Sequence, residues 1–296
     1  MPLLMPLLLL VQAYDPEIEA VMRNRAAQKA AKGEAAAAQP APAPVPATSP
    51  KPDGPLPVPP EHAARFQACV DAAVAAPDGG IAEAEKWRIE GGGFYARQCL
   101  GFAYARAERW NAAVVALEQA AEEAERGGER VHSARLWAQA GNAALASGNP
   151  ARARDDLDAA LARGLPDGID KGEVFLDRAR ALVALGDLNP ARESIDHALE
   201  LVPQDPLGWL LSATLARRQA QMTLAQAHIA RAVRMSPDDA SVALEEGNIA
   251  ILTDHEDVAR AAWSRAARLA PDAPAGRAAA DNLSRLPATT AAATKR

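Results

Sequence analysis

The chain has 296 residues, enough for one or two ordinary domains, and its 49 % hydrophobic content overstates the available core because much of it is alanine and only 4 % is aromatic. The formal net charge of −6 argues against a general nucleic-acid-binding protein, which needs a basic face to neutralise phosphates. No alternating run of apolar and polar residues of useful length occurs, so β-strands are not predicted.

The N-terminus, residues 1–13, is an apolar run that ends in Val11-Gln12-Ala13, a sequence similar to the cleavage site of a secretory signal peptide. The run is too short to span a bilayer, which takes about 20 residues. We therefore expect a signal peptide, export to the periplasm, and a mature chain without an integral membrane segment. Because no lysine or arginine precedes the run, the alternative is an apolar tail on a cytoplasmic protein.

Residues 14–60 form a low-complexity segment that is rich in alanine and proline. Residues 14–37 mix acidic and basic side chains evenly and are compatible with a short polar helix. Residues 38–60 contain too much proline to continue a helix or to build a core. They are typical of an extended, semi-rigid linker.

Residues 61–93 are predicted to be N-terminal capping helices that precede the regular part of the chain. Cys69 lies on a helical pattern in this region, and Cys99 lies on the next helical pattern, so the two helices are expected to pack together. In an oxidising compartment we expect a Cys69–Cys99 disulfide. The alternative is two reduced cysteines that act as small apolar side chains.

A repeat with a 34-residue period follows. The segments DHALELVP, ARAVRMSP and SRAARLAP end at Pro203, Pro237 and Pro271. Upstream of each proline, a small residue is followed after 12, 16 and 19 positions by alanine, a large apolar residue and alanine again. The last three positions share one helical face, and the small residues let two helices approach closely. The register gives five units, at 94–127, 134–167, 172–205, 206–239 and 240–273.

Turn residues separate the two helices of a unit. Gly148-Asn149-Pro150 and the segment 186–190 each offer a glycine stop, an asparagine cap and a first-turn proline. A generic alanine-rich helical bundle is the alternative architecture, but it would have no reason to space its prolines equally.

The series of Trp or Phe, Gly or Ala, Ala, Leu or Ile, Ala and Pro resembles the tetratricopeptide repeat (TPR) family over about 60 % of the chain. The resemblance implies an all-α, right-handed superhelical solenoid of about five helix pairs, with a C-terminal capping helix and tail at 274–296. The first unit departs most from the pattern, because Arg97 and Glu125 replace the aromatic residue and the proline. The linkers 128–133 and 168–171 are longer than the ideal period allows.

The resemblance also implies a non-catalytic scaffold that binds a protein or peptide partner in a concave groove formed by the first helix of each pair. Leu207, Leu210 and Leu211 lie beside Trp209, so apolar residues cover more of this helix than one packing face requires, and exposed apolar surface is expected there. The alternatives are that these leucines pack against adjacent repeats, or that residues 14–37 fold back into the groove. The predicted groove residues are Leu176, Arg180, Leu207, Leu210, Leu211, Thr214, Arg217, Arg218, Leu244 and Asn248.

Some TPR proteins hold a partner's C-terminal carboxylate in a clamp of Lys, Asn and Arg residues. Here Asn142 fits one clamp position, but Ala138, Asp177, Leu207 and Leu211 occupy the others, so a clamp of this kind is not expected. Two other functions remain open. One is an accessory or regulatory subunit of a cell-envelope enzyme for polysaccharide or cell-wall work, and the other is a small-ligand-binding module.

Catalytic, metal and cofactor sites are not predicted. The chain has no H-E-x-x-H motif, since His255-Glu256 lacks the second histidine, and neither cysteine belongs to a C-x-x-C pair. Gly91-Gly92-Gly93 is not expected to be a phosphate-binding loop, because no strand precedes it and no Lys-Ser/Thr follows it. The protein is therefore expected not to be an enzyme.

Overall fold

The computed structural model describes residues 58–286. The expected signal peptide at 1–13, nearly all of the segment 14–60, and the tail from Pro287 lie outside the described residues.

The described part of the chain consists of thirteen α-helices without a strand. The helices are α1 Pro60–Ala75, α2 Pro77–Ile89, α3 Gly93–Arg106, α4 Trp110–Arg126, α5 Arg130–Ala146, α6 Pro150–Ala162, α7 Ile169–Leu185, α8 Leu188–Leu201, α9 Pro206–Arg218, α10 Met222–Met235, α11 Ala240–Leu252, α12 Glu256–Leu269 and α13 Pro274–Arg285.

Each helix packs on the next one along the chain, and the first helices of neighbouring pairs also contact each other. This arrangement is an all-α solenoid of helix pairs, as the repeat period predicts. Helices α1 and α2 form a further pair ahead of the five predicted units, because α1 contacts α3 as well as α2. Helix α13 contacts both α11 and α12, so it occupies the place of the first helix of another pair.

Small residues on the first helix of a pair face large residues on the second, as the spacing predicts. A Cβ atom added to Gly141 would lie 2.6 Å from the Leu157 side chain, and one added to Gly247 would lie 2.4 Å from the ring of Trp263. Both distances are too short for carbon atoms, so these positions require glycine. The close approach lets Leu157 and Trp263 fill the space between the two helices of a pair.

The two long linkers expected from the sequence are shorter in the structure. Helix α5 already begins at Arg130 and α7 at Ile169, so most of the extra residues of 128–133 and 168–171 are helical. The four extra residues at 168–171 add about one helical turn and leave the downstream face unchanged. The six extra residues at 128–133 are divided between a longer α4, which ends at Arg126, and a longer α5, and the turn between them is short.

The turn between the two helices of a pair has the same backbone shape in all five predicted units. One residue adopts positive φ in each turn: Glu108 (57°), Gly148 (74°), Gly186 (85°), Ala220 (57°) and Asp254 (60°). The side chain of Asn149 then caps α6 by accepting a hydrogen bond from the Arg152 amide, as predicted. The predicted cap at Asn189 is wrong, because α8 already begins at Leu188.

Replacement of Ala220 by glycine is expected to raise the free energy of unfolding by about 1 kcal/mol. Positive φ costs an alanine about 1 kcal/mol through its Cβ atom, whereas glycine adopts this conformation freely. Urea denaturation followed by far-UV circular dichroism measures the change. The matched control is Ala227→Gly, at an exposed position within α10, which should instead lose about 1 kcal/mol.

The N-terminal pair is joined covalently to the next pair. Cys69 on α1 and Cys99 on α3 form a disulfide with 6.3 Å between their Cα atoms, the pairing expected from the sequence, and both side chains are fully buried. Trp87 and Tyr95 pack around the disulfide, and Val58 covers the same cluster. The bond therefore fixes α1 against the first of the predicted units.

Candidate functional site

The first helices of successive pairs form one continuous layer, since α7 contacts α9 and α9 contacts α11. The predicted groove residues all lie on α7, α9 and α11. The structure separates them into three groups: buried leucines, a polar network at the C-terminal end, and a small cleft between α7 and α9.

The predicted exposed apolar surface is wrong, because the leucines assigned to it are buried. Their exposed fractions are 8 % or less, since the first helices of adjacent pairs lie close enough for these side chains to pack between them. The alternative interpretation, in which they pack against adjacent repeats, is the one the structure shows. These residues are Leu176, Leu207, Leu210, Leu211 and Leu244.

Arg217 and Asn248 are engaged within the scaffold. The Arg217 guanidinium donates two hydrogen bonds to Glu245, from Nε to Oε1 at 2.6 Å and from Nη2 to Oε2 at 3.0 Å. The Asn248 amide donates to the same carboxylate at 3.2 Å and accepts from Trp263 Nε1 at 3.1 Å and from Asn282 Nδ2 at 3.2 Å. This C-terminal polar network links α9, α11, α12 and α13, so its residues serve first to hold the repeats together.

The remaining predicted groove residues lie around a cleft between α7 and α9, which we call the α7–α9 cleft. Its space is about 10 Å³, enough for about one water molecule. Two arginines and no carboxylate line it, and its walls are otherwise apolar except for Thr214. The lining residues are Ala179, Arg180, Val183, Ile195, Leu211, Thr214, Leu215 and Arg218.

Arg180 is the buried cation of this cleft. Its exposed fraction is only 8 %, and its Nη1 donates a hydrogen bond to Asp177 at 2.9 Å. Its Nε is buried without a hydrogen-bond partner within the described part of the chain. A buried donor of this kind costs free energy unless an acceptor reaches it. Arg218, at the end of α9, is exposed at the rim and adds positive charge there.

A serine–histidine pair lies between α9 and α10, where sequence reasoning predicted no feature. Ser212 Oγ is 2.6 Å from His228 Nδ1, and burial lowers the pKa of His228. Ser212 is fully buried, so its hydroxyl is not accessible to a substrate. Trp209 covers the histidine, and the Arg231 guanidinium lies 4.1 Å from the Trp209 ring centre. The arrangement packs two helices together rather than forming a nucleophile.

A buried carboxyl group lies between the second helices of the first two predicted units. Asp156 on α6 is only 4 % exposed, and Arg152 on the same helix donates hydrogen bonds to Glu118 on α4 at 2.7 and 2.5 Å. Burial and the neighbouring Glu118 carboxylate raise the pKa of Asp156 to about 7. The side chain is therefore neutral in mildly acidic solution and charged in alkaline solution.

Replacement of Asp156 by asparagine is expected to stabilise the protein by about 2 kcal/mol at pH 8 and to have little effect below pH 4. The folded chain retains the Asp156 proton up to a pH of about 7, whereas the unfolded chain releases it near the usual aspartate pKa. Stability is therefore lost as the pH rises through this interval, and asparagine removes that loss. Chemical denaturation at several pH values measures the difference, with the exposed Asp155→Asn as control; equal effects of Asp156→Asn at both ends of the range would contradict the assignment.

Within the described residues, no three or more His, Cys, Asp or Glu side chains gather in a way that could hold a metal ion. None of the helices in residues 58–286 combines the length and apolarity needed to cross a membrane.

The paired helices, the 34-residue period and the small-against-large contacts define the TPR fold. Among solved structures, the chain is similar to PilW, described as a widely conserved type IV pilus biogenesis factor, with a TM-score of 0.60 and 14 % identity over 74 % of this chain and 98 % of that one. It is similar to pilF of Pseudomonas aeruginosa, with a TM-score of 0.59 and 15 % identity over 75 % of this chain and 99 % of that one.

A third similar structure is the APC/C hetero-tetramer Cut9–Hcn1, with a TM-score of 0.59 and 15 % identity over 76 % of this chain and 43 % of the matched chain. At these identities the similarity establishes a shared fold. Neither the comparison with family models nor the comparison with curated proteins finds a match.

Proposed function

We propose that the protein is a non-catalytic interaction scaffold that binds a peptide segment of a protein partner across the α7–α9 cleft. The observation that carries the proposal is Arg180, a buried guanidinium whose Nε makes no hydrogen bond within the described residues and which lines an otherwise mostly apolar cleft. Because this Nε atom is buried, the cleft would have to widen for a carbonyl or carboxylate oxygen of a bound peptide to reach it and satisfy the donor. Arg218 at the rim and the walls formed by Val183 and Leu211 favour a segment with acidic and apolar side chains.

The size of the cleft favours a peptide over a small ligand. Small-molecule sites enclose about 300 Å³ or more, whereas this cleft has space for about one water molecule. A peptide needs less enclosed space, because it can extend along the layer of first helices and anchor only one or two side chains.

An exported location is part of the proposal and is supported by the Cys69–Cys99 disulfide, since such bonds persist in oxidising compartments. A role as an accessory subunit of a cell-envelope complex is the second candidate. Its support is the same disulfide, together with the type IV pilus role that is stated for one protein of similar fold.

Peptide selection tests the proposed groove. A displayed peptide library panned against the protein is expected to enrich sequences that combine acidic and apolar residues. Thr214→Trp, which fills the cleft, and Arg218→Glu, which reverses the rim charge, should each weaken binding of the selected peptides at least tenfold. The matched control is Arg234→Glu at an exposed position of α10, which should not change the affinity.

The proposal fails if no peptide is enriched either by the unaltered chain or by a chain in which Asp15, Glu17 and Glu19 are replaced by lysine. It also fails if the selected peptides bind the Thr214→Trp and Arg218→Glu proteins as tightly as they bind the unaltered chain, because binding would then occur elsewhere.

A further inference from the structure

The α7–α9 cleft also has a candidate ligand within the same chain. Residues 14–22, with the sequence YDPEIEAVM, carry Asp15, Glu17 and Glu19 beside large apolar side chains. We propose that this segment docks in the α7–α9 cleft and covers it until a partner displaces it. The proposal rests on the proposed function, because it names an occupant for the same site.

Residues 14–22 differ from the rest of residues 1–57 in their acidic and large apolar side chains. Three of the five acidic residues in the region 1–57 lie between positions 15 and 19, and Ile18 lies among them. Residues 1–13 carry no acidic side chain, and residues 23–57 combine scattered charges with alanine and proline. The cleft is lined by two arginines and by apolar side chains, and the nearby carboxylates, Asp177 on Arg180 and Glu245 close to Arg218, do not themselves line it, so residues 14–22 complement the cleft in both respects.

The cleft itself provides the structural reason for an occupant. Arg180 is 92 % buried, since only 8 % of it is exposed, yet its Nε has no acceptor within the described residues. A carboxylate of the segment that widened the cleft on docking would supply the acceptor, and Ile18 would lie against Val183 or Leu211. Arg218 at the rim would face a second carboxylate.

The chain that connects residue 22 to the start of α1 is long enough to reach the α7–α9 cleft. Met22 and Pro60, where α1 begins, are 38 residues apart. A flexible chain of that length has a root-mean-square span of about 35 Å, and a proline-rich one is longer. The cleft lies between α7 and α9, three to four first-helix steps from α1 (α3, α5, α7, α9), and steps of 8–10 Å give a distance of about 24–40 Å. A linker whose span matches the distance gives a local concentration in the millimolar range, so even weak docking would be populated.

Cysteine crosslinking in the full-length chain tests the contact directly. Ile18→Cys combined with Thr214→Cys is expected to form an intrachain disulfide under mild oxidation, detected by peptide mapping. The matched control pairs Ile18→Cys with Thr223→Cys, an exposed threonine on α10, and should not crosslink. Absence of the 18–214 crosslink, equal crosslinking at position 223, or a crosslink found only between two copies would each overturn the proposal.

Charge reversal tests the functional consequence. In the full-length chain, Asp15→Lys, Glu17→Lys and Glu19→Lys together should open the cleft and increase the affinity for the selected groove-binding peptides at least tenfold. Reversal of Glu34 and Asp53, the two remaining acidic residues of the same region, should change the affinity less than twofold. Equal effects of the two variants would overturn the inference.

The two proposals fail separately. If the selected peptides depend on Thr214 and Arg218 but not on residues 15–19, the cleft binds partners without an internal occupant. If no peptide depends on the cleft, the proposed function itself is wrong.

Discussion

Replacement of Arg217 by methionine is expected to lower the free energy of unfolding by about 3–5 kcal/mol. The Glu245 carboxylate is only 3 % exposed, and Arg217 is the cation that donates two hydrogen bonds to it. Without the guanidinium, the buried charge keeps the Asn248 amide as a hydrogen-bond donor and Arg218 as a more distant cation, and breaking buried ion pairs costs about 3–5 kcal/mol. Urea denaturation of the full-length chain measures the loss.

A double variant distinguishes the cost of leaving the Glu245 charge unpaired from the cost of losing the packing of the Arg217 side chain. Arg217→Met together with Glu245→Leu should recover most of the stability, because no charge is then left without its partner. Arg234→Met on α10 controls for removal of an exposed arginine and should change the stability by less than 0.5 kcal/mol, roughly the usual surface effect. A loss below about 1 kcal/mol for Arg217→Met would show that the Glu245 charge is not buried in solution.

Reduction of the Cys69–Cys99 disulfide is expected to cost about 3–4 kcal/mol of stability. The bond closes a loop across a sequence separation of 30 residues, and the loss of loop entropy in the unfolded chain accounts for about 3.6 kcal/mol at this length. Because α1 and α2 contact the rest of the described chain mainly through α3, the loss should be concentrated at the N-terminal end.

Chemical denaturation with and without a reductant measures this loss, and hydrogen exchange locates it. Amide protection in α1 and α2 should fall, whereas that in α9–α13 should not change. In the control, Cys69→Ala with Cys99→Ala, the reductant should have no effect. Uniform loss of protection along the array would contradict a local role for the bond.

The repeat architecture could be predicted because its defining residues pack within one helix pair. Gly141 against Leu157 and Gly247 against Trp263 are contacts between positions 16 residues apart, and the 34-residue period carries them along the chain. The added pair of α1 and α2 was expected only as capping helices, because residues 61–93 lack the periodic residues that define the other units.

The groove could not be predicted to the same degree, because exposure on the first helices depends on the neighbouring pair. Leu210 and Leu211 lie beside Trp209 in sequence, so apolar residues cover more of this helix than one packing face requires, and the sequence predicts an exposed apolar surface. In the structure both leucines are buried between pairs, whereas Trp209 is partly exposed and donates a hydrogen bond to the Pro203 carbonyl oxygen at 2.9 Å.

The Arg217–Glu245 pair had a signal in the sequence that was missed. Glu245 lies in α11 among Val242, Leu244 and Ile249, so a carboxylate at this position requires a cation nearby. Its partner lies 28 residues earlier in the chain, and only the stacking of α9 on α11 brings the two together.

The hydrogen bond from Asn282 to Asn248 joins residues that are separated by 34 positions, one full period. Because α13 occupies the place of the first helix of another pair, this bond connects Asn248 to its own counterpart in the closing helix. The equivalent position in the unit before is Thr214, whose hydroxyl can also accept a hydrogen bond from an amide. An array that ended one unit earlier could therefore be closed by the same helix through the same kind of contact.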